Sequence, residues 1–124
     1  MKVTTFTDDG GRTGVQVAAT PAWEPLDAYD GKPLQGVRLV VVERLALGEI
    51  QLVEIAAGGR FAMHTSPDVA FCQVVRGRGK LGLPDGGELA YQGPELYVFH
   101  PGARHDWHDV EEDTLLSVCL VRAG

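Results

Sequence analysis

The chain has 124 residues, of which 44% are hydrophobic, and its 11 Lys and Arg against 17 Asp and Glu give a formal net charge of −6. This length predicts one domain spanning residues 1–124, and the acidic balance argues against a nucleic-acid partner, whose binding depends on positive charge. No run approaches the roughly 18 apolar residues of a membrane span, and the first residues lack the apolar core of a secretory signal, so we expect a cytoplasmic protein without a membrane partner.

Short apolar runs separated by turn-forming residues dominate the chain. The 16 glycines and 7 prolines interrupt runs that are rich in Val, Leu, Ile, Phe and Tyr, a pattern typical of β-strands. Many short strands without a long helical pattern predict an all-β sandwich or barrel. The predicted strands cover residues 15–19, 37–42, 49–56, 69–76, 80–83, 88–91, 95–99 and 114–121.

Turn signals and prolines divide the chain further. The stretches "GRG" at 77–79 and "PDGGE" at 84–88 predict two hairpin turns, because Asp-Gly and Gly-Gly pairs favour the backbone conformations of tight turns. The segment 20–33, "TPAWEPLDAYDGKP", contains three prolines and predicts an extended arm or loop that crosses the barrel surface. We therefore expect an N-terminal arm over about residues 1–35 and a barrel core over about residues 36–122.

The four histidines fall into two clusters, each near a turn after an apolar strand. His64 follows "GGRFAM", and His100, His105 and His108 lie in "YVFHPGARHDWHDV". Imidazole is a common metal ligand and titrates near neutral pH, so histidines that converge on a pocket can bind a cation or move protons. Histidines on exposed loops are also common, and both interpretations stay open at this point.

The stretch 58–79, "GGRFAMHTSPDVAFCQVVRGRG", resembles the first conserved motif of the cupins, a superfamily of small β-barrels. Gly58, five residues and His64 match the opening of that motif, and Gly77 closes it at the expected distance. The pattern departs in between, because Ser66 stands at the second histidine position and Ala70, or Phe71 on the longer spacing, at the glutamate position.

The stretch 100–109, "HPGARHDWHD", resembles the second cupin motif. The glycine that opens this motif corresponds to Gly93, which lies one residue earlier than the motif spacing requires. Gly102 and His105 are in register, whereas His100 takes the proline position and Asp109 the position where asparagine is usual. More structural positions than ligand positions match, and a turn needs its glycine whether or not a site is present. The resemblance thus implies an all-β double-stranded β-helix, the cupin or jelly-roll barrel, with an extended N-terminal arm.

The resemblance also implies a site. Only His64 and His105 remain of the four ligands that cupins use for one divalent metal ion such as Fe, Ni, Mn or Zn. His100 is the best third candidate, because it precedes His105 by five residues across a Pro-Gly turn. The alternative is that His100 caps a strand end and faces solvent.

Strand alternation predicts which side chains face the barrel interior. If His64 and Ser66 point inward as in cupins, a period of two puts Ala70 and Cys72 on the same inner wall. Small side chains there leave room for an organic ligand. Phe71 then faces outward, and an outward aromatic residue on such a sheet predicts a second layer, which we expect to be the partner subunit of a homodimer.

Three functions fit these residues. The first is an enzyme that holds a metal ion through His64, His105 and a third ligand such as His100, and catalyses oxygenation, isomerisation or lyase chemistry on a small organic molecule. The second is a metal-free enzyme in which His105 or His64 is a general base oriented by Asp106 or Asp109. The third is a non-enzymatic module that binds or senses a small organic molecule in the barrel.

Overall fold

The computed structural model describes residues 1–123, which form strands and no helix. This confirms the predicted all-β class. In that range, no helix is long and apolar enough to cross a membrane. The strands are β1 (Val3–Asp9), β2 (Arg12–Ala18), β3 (Glu24–Pro25), β4 (Ala28–Tyr29), β5 (Lys32–Pro33), β6 (Gln35–Leu45), β7 (Gly48–His64), β8 (Val69–Arg76), β9 (Arg78–Gly82), β10 (Glu88–Gln92), β11 (Glu95–Phe99), β12 (His105–His108) and β13 (Thr114–Val121).

One antiparallel sheet of nine strands builds the barrel. Its strand order is β10-β9-β12-β7-β13-β8-β11, and β6 lies beside β7 and carries β3 on its other side. The long strand β7 belongs to both walls of the barrel, since its first part pairs with β6 and β13 and its last part pairs with β12. Strand β10 comes back near β8, so the sheet curls into a nearly closed barrel.

A bulge at Gly58 and Gly59 lets β7 pass from one wall to the other. The register with β6 shifts there, because Val37 pairs with Ile55 but Gln35 pairs with Arg60. Gly58 has a φ of 79°, and a Cβ at Gly59 would lie 2.6 Å from the Gln35 carbonyl oxygen. Extra residues in one strand bend a sheet, and this bend carries the end of β7 to the site described below.

One of the two predicted hairpin turns is confirmed and the other is wrong. Residues 84–88 join β9 to its neighbour β10, and the Leu83 amide donates to the Gly87 carbonyl at 2.8 Å. Residues 77–79 do not form a hairpin turn, because β8 pairs with β11 and β13 whereas β9 pairs with β10 and β12. Gly77 instead crosses between the walls with a φ of 105°.

The N-terminal residues form more strands than the sequence predicts. Strands β1 and β2 make a separate two-stranded sheet, and β3 adds to the edge of the barrel. Strands β4 and β5 form a small hairpin whose turn residues, Asp30 and Gly31, have φ values of 52° and 73°. Positive φ at both central residues is the geometry that an Asp-Gly pair favours. The predicted loop is therefore a hairpin in its second half.

The hydrophobic core lies between the two walls. Alternation along β8 is as predicted, with Ala70, Cys72 and Val74 buried and Phe71 39% exposed. Trp107 enters from the opposite wall, is 2% exposed and packs edge-on against Tyr91, with ring centroids 5.1 Å apart. The wider part of the barrel interior next to Trp107 holds the candidate site.

Candidate functional site

His64 and His105 come together across two neighbouring strands. His64 ends β7, His105 begins β12, and the two residues are directly paired in the antiparallel register. Their ring centroids lie 4.4 Å apart. Residues that are far apart in the chain thus meet on one inner wall, as the spatial hypothesis from the two motifs requires.

Backbone carbonyls fix the orientation of both imidazoles. His64 Nδ1 lies 2.8 Å from the Ala62 carbonyl oxygen, and His105 Nδ1 lies 3.2 Å from the Ala103 carbonyl oxygen. A carbonyl oxygen only accepts hydrogen bonds, so Nδ1 carries the hydrogen and the neutral ring keeps a lone pair on Nε2. Neither Nε2 bonds to a residue that the structure describes, and both rings line the barrel cavity.

Both imidazoles are neutral at pH 7. Burial lowers the pKa of His64, and burial together with the neighbouring His64 ring lowers the pKa of His105 to about 4. A proton on one ring would repel a proton on the other at this distance, and an apolar environment also disfavours the charged form of each ring. The pair therefore presents two hydrogen-bond acceptors and no positive charge.

The cavity between the walls has a volume of about 110 Å³ and is mostly apolar. Phe99 stacks on His105 with ring centroids 3.7 Å apart and an interplanar angle of 10°. Phe61 lies against His64 at 4.2 Å, and Trp107 closes the interior end. Aromatic walls with a few convergent polar atoms are typical of small-molecule sites.

The structure places the three predicted pocket residues, Ser66, Ala70 and Cys72, in the cavity wall. The Ser66 hydroxyl accepts a hydrogen bond from the Asp68 amide at 3.0 Å, which leaves its own hydrogen free. Burial raises the pKa of the Cys72 thiol to about 12, so this side chain is a neutral part of the wall. A buried neutral thiol is a poor nucleophile.

Tyr29 is a wall residue that the sequence analysis missed. The β4–β5 hairpin brings its ring edge-on to Phe61 at 5.6 Å and to His64 at 5.4 Å. Lys32 holds the hairpin in place by donating from Nζ to the Met63 carbonyl at 2.7 Å. The pair Asp30-Gly31 beside an aromatic residue was the local signal for this hairpin, but its position over the cavity depends on contacts distant in sequence.

His100 lies exposed at the rim of the cavity. Residues 1–123 contain no group of three or more His, Cys, Asp or Glu side chains arranged to hold a metal ion. A metal centre at His64, His105 and His100 is therefore not formed, because the third imidazole does not join the other two. The donor set that is present, two imidazoles in an apolar wall, does not fit a resident Fe, Ni, Mn or Zn ion.

Asp106 and Asp109 do not orient the paired imidazoles, contrary to the expectation for a base with a carboxylate partner. Asp106 is buried on the other side of β12, where its Oδ1 lies 2.5 Å from His108 Nδ1. Asp109 approaches Lys80 at 3.9 Å. Because successive side chains of a strand point to opposite faces, Asp106 turns away from the cavity once residues 105–108 form β12, a strand that the sequence did not predict.

Comparisons with known proteins identify the fold. No family model and no curated protein matches the chain. A cupin 2 conserved barrel domain protein from Rhodopseudomonas palustris has a TM-score of 0.69 at 19% identity, over 98% of this chain and 81% of that chain. A predicted oxalate decarboxylase from Thermotoga maritima has a TM-score of 0.62 at 10% identity, over 70% and 81%. A polyketide cyclase from Streptomyces resistomycificus has a TM-score of 0.63 at 15% identity, over 71% and 66%.

These likenesses concern the fold, and they agree with the nearly closed antiparallel barrel. The positions where the sequence resembles the two cupin motifs also lie where the fold requires them, with Gly58 in the β7 bulge and Gly77 at the crossing between the walls. The chain is therefore a cupin-fold protein, built as one double-stranded β-helix barrel.

Proposed function

We propose that this protein binds a small organic molecule in the barrel cavity and needs no metal ion to do so. The observation that carries the proposal is the pair of Nε2 atoms of His64 and His105, which face an apolar cavity without a protein partner among residues 1–123. An unprotonated Nε2 can only accept a hydrogen bond. A ligand in the cavity that donates a hydrogen bond would supply the partner that the described side chains do not.

The ligand count favours binding over metal chemistry. Catalytic transition-metal sites in proteins use about three protein ligands and keep an open position for substrate. His64 and His105 supply two, and the described side chains supply no third. A metal-dependent oxygenase, isomerase or lyase thus has weaker support than a metal-free binding protein.

Metal-free proton transfer is the second candidate function, because the same free Nε2 atoms could accept a proton. The low pKa of His105, about 4, makes its conjugate acid unfavourable at pH 7 by about 4 kcal/mol. General bases work best with a pKa near the working pH. His105 is therefore better suited to accept a hydrogen bond than to take up a proton, which supports a binding role.

The fold neighbours support an organic ligand in general terms. One is a polyketide cyclase and another a predicted oxalate decarboxylase, so barrels of this fold accommodate organic substrates. Cupin-fold proteins carry many unrelated activities. The chemistry of the cavity is therefore the better guide to what this chain binds.

Blocking the cavity tests the proposal. We expect small alcohols, ketones and aromatic compounds that bind the protein in ligand-observed NMR to lose binding in Ala70→Leu, because Ala70 lines the cavity. Ala90→Leu is the matched control, since Ala90 is exposed on β10. Equal binding to both variants, or the absence of any compound that binds, would contradict the proposal.

We also propose that the protein is a homodimer whose subunits meet on the outer face of the sheet. Val98 on β11, Phe71 on β8 and Ile50 on β7 are 46%, 39% and 42% exposed. The register joins them through Cys119 into one row, because Val98 pairs with Phe71, and Cys119 pairs with both Phe71 and Ile50. A continuous apolar row on a sheet face supports burial against a second copy.

A further inference from the structure

We infer that the ligand class is a neutral molecule with one aromatic ring and a hydroxyl group, a phenol, which lies in the cavity and donates its hydroxyl hydrogen to Nε2 of His64 or His105. This inference rests on the proposed binding function and specifies what the cavity accepts. It combines three properties of the cavity: its size, its aromatic walls and its charge.

The size limits the buried part of the ligand to about one ring. The cavity has a volume of about 110 Å³, and an engineered apolar cavity of about 150 Å³ holds one benzene molecule. A ligand with several fused rings would leave the others outside the barrel. The buried group is therefore no larger than a single six-membered ring.

The walls favour a flat ring over an aliphatic group. Phe61, Phe99 and Trp107 surround the imidazoles, with Phe99 and Trp107 ring centroids 6.4 Å apart at 72°. Tyr29 adds a further ring edge-on to His64 at 5.4 Å. Aromatic rings prefer such edge-to-face and offset arrangements, so these walls suit a flat aromatic ring better than an aliphatic group.

The charge of the cavity disfavours an anionic ligand. Within the described chain, no Lys or Arg side chain lines the cavity, and the lowered pKa values of His64 and His105 keep both rings neutral. The charge of Lys32 acts on His64, but its Nζ donates to the Met63 carbonyl and does not line the wall. A carboxylate ligand would have no positive partner in the wall and would face Asp68, which lines it. Burying an unpaired charge is costly, so a carboxylic acid is a poor ligand at pH 7.

The two Nε2 atoms favour a hydroxyl donor over an ammonium group. Both are neutral acceptors next to apolar rings, with Phe99 against His105 and Phe61 against His64, where an ammonium ion would lose its hydration without gaining a full counter-charge. A phenol hydroxyl has one hydrogen to donate and loses little hydration. An amine attracted by Asp68 is the competing ligand that the experiment below includes.

Four single-ring probes separate these possibilities: phenol, toluene, benzoate and benzylamine, titrated at pH 7 and followed by protein NMR shifts and calorimetry. We expect phenol to bind the wild-type protein more tightly than benzoate or benzylamine. In His105→Phe, which keeps a ring but removes Nε2, phenol affinity should fall about tenfold, as for the loss of one buried hydrogen bond. Toluene affinity should change less than about twofold, because toluene donates no hydrogen bond.

His108→Gln is the matched control, since His108 lies on the outer side of the same strand, and phenol binding should be unchanged in it. His64→Phe repeats the test if His105→Phe does not fold. Tighter binding of benzoate or benzylamine, or an equal loss of phenol and toluene affinity in the Phe variants, would overturn the ligand class and leave the binding function intact. If none of the four probes binds, both the ligand class and the binding function fail.

Discussion

His105 and His108 lie at the two ends of the four-residue strand β12 and have opposite electrostatic environments. His105 faces the cavity, where burial and the His64 ring lower its pKa to about 4. His108 faces the other way, where burial lowers its pKa but hydrogen bonds to Asp106 and Glu88 outweigh this effect and raise it. The face of the strand, rather than the residue type, determines what each imidazole can do.

On the inner side of β12, the neutral His105 faces the cavity. On the outer side, Asp106 and His108 form hydrogen bonds and ion pairs with charged neighbours. Asp106 accepts from His108 and also faces the Arg60 guanidinium at 3.5 Å. Gly82 makes room for this carboxylate, because a Cβ at position 82 would overlap it. The imidazole facing the cavity is therefore suited to a neutral ligand, whereas the outer imidazole contributes to a surface network of ion pairs.

Truncating Trp107, the buried aromatic residue on the inner side of β12, should have the largest effect on stability. Trp107→Ala removes a side chain that is 2% exposed and packed against Tyr91 and Phe99. Loss of a buried Trp costs about 3–5 kcal/mol, and we expect that decrease in the free energy of unfolding from urea denaturation. His108→Ala on the outer side should cost less, about 1.5–3 kcal/mol as the loss of one hydrogen bond to a charged group, and an equal or larger loss than in Trp107→Ala would contradict the difference between the two faces.

The second largest effect should be the contribution of His105 to the pH dependence of the free energy of unfolding. His105 has a folded pKa of about 4, below its ordinary 6.5, so the unfolded chain binds more protons between these values. The neutral form of His105 gives its full contribution to stability above pH 6.5. As the pH falls towards 4, the free energy of unfolding should decrease by about 3 kcal/mol. Urea denaturation of wild type and His105→Gln at pH 7 and pH 4.5 measures it, because the variant should lose less stability on acidification.

His108 should show the opposite sign. Its folded pKa is raised, so its contribution is present below the unfolded pKa and is lost as the pH rises through the folded pKa. If His108→Gln and His105→Gln change the pH profile of stability in the same direction, the assignment of the two environments is wrong.

Gly82→Ala should disturb the outer side alone. The added Cβ would displace the Asp106 carboxylate from His108 and cost about 1–3 kcal/mol as overpacking. We expect the pKa of His108, read from the NMR titration of its ring protons, to fall towards the ordinary value, and that of His105 to stay within the error of the titration. A shift of the His105 pKa as large as that of His108 would show that the two sides are coupled.

A substitution on the outward face of β8 should have the smallest effect on the stability of one subunit but a clear effect on dimer formation. Phe71→Ser removes an exposed aromatic ring at the centre of the proposed dimer row. Surface substitutions usually change stability by about 0.5 kcal/mol or less. Light scattering should give the mass of a dimer for the wild type and a monomer for the variant; a wild-type monomer would contradict the proposed dimer.

The sequence predicted those parts of the structure that depend on local alternation and turns. The predicted strand at 69–76 coincides with β8, and the inward side of Ala70 and Cys72 follows from its period of two. The continuous strand β7 was predicted only in its first half, because Gly58 and Gly59 are typical of a turn as well as of a bulge.

The rest depends on contacts between distant parts of the chain. The Tyr29 ring reaches His64 through the β4–β5 hairpin, which packs on Phe61 and is joined to β7 by the hydrogen bond from Lys32 to the Met63 carbonyl. The pairing of Asp106 with His108 instead of His105 follows from the period of two, because Trp107 turns inward with His105 and leaves Asp106 and His108 on the other face. Local patterns predict faces and turns, whereas the partners of titratable side chains follow from the closed barrel.

The most direct measurement of the central claim is the nitrogen-15 NMR spectrum of the His64 and His105 rings at pH 7, with and without phenol. We predict that both Nε2 atoms have the shift of an unprotonated nitrogen and that phenol moves at least one of them in the direction of an accepted hydrogen bond. Protonated Nε2 atoms in the free protein, or shifts that phenol leaves unchanged at saturation, would contradict the account of a neutral acceptor pair in a ligand cavity.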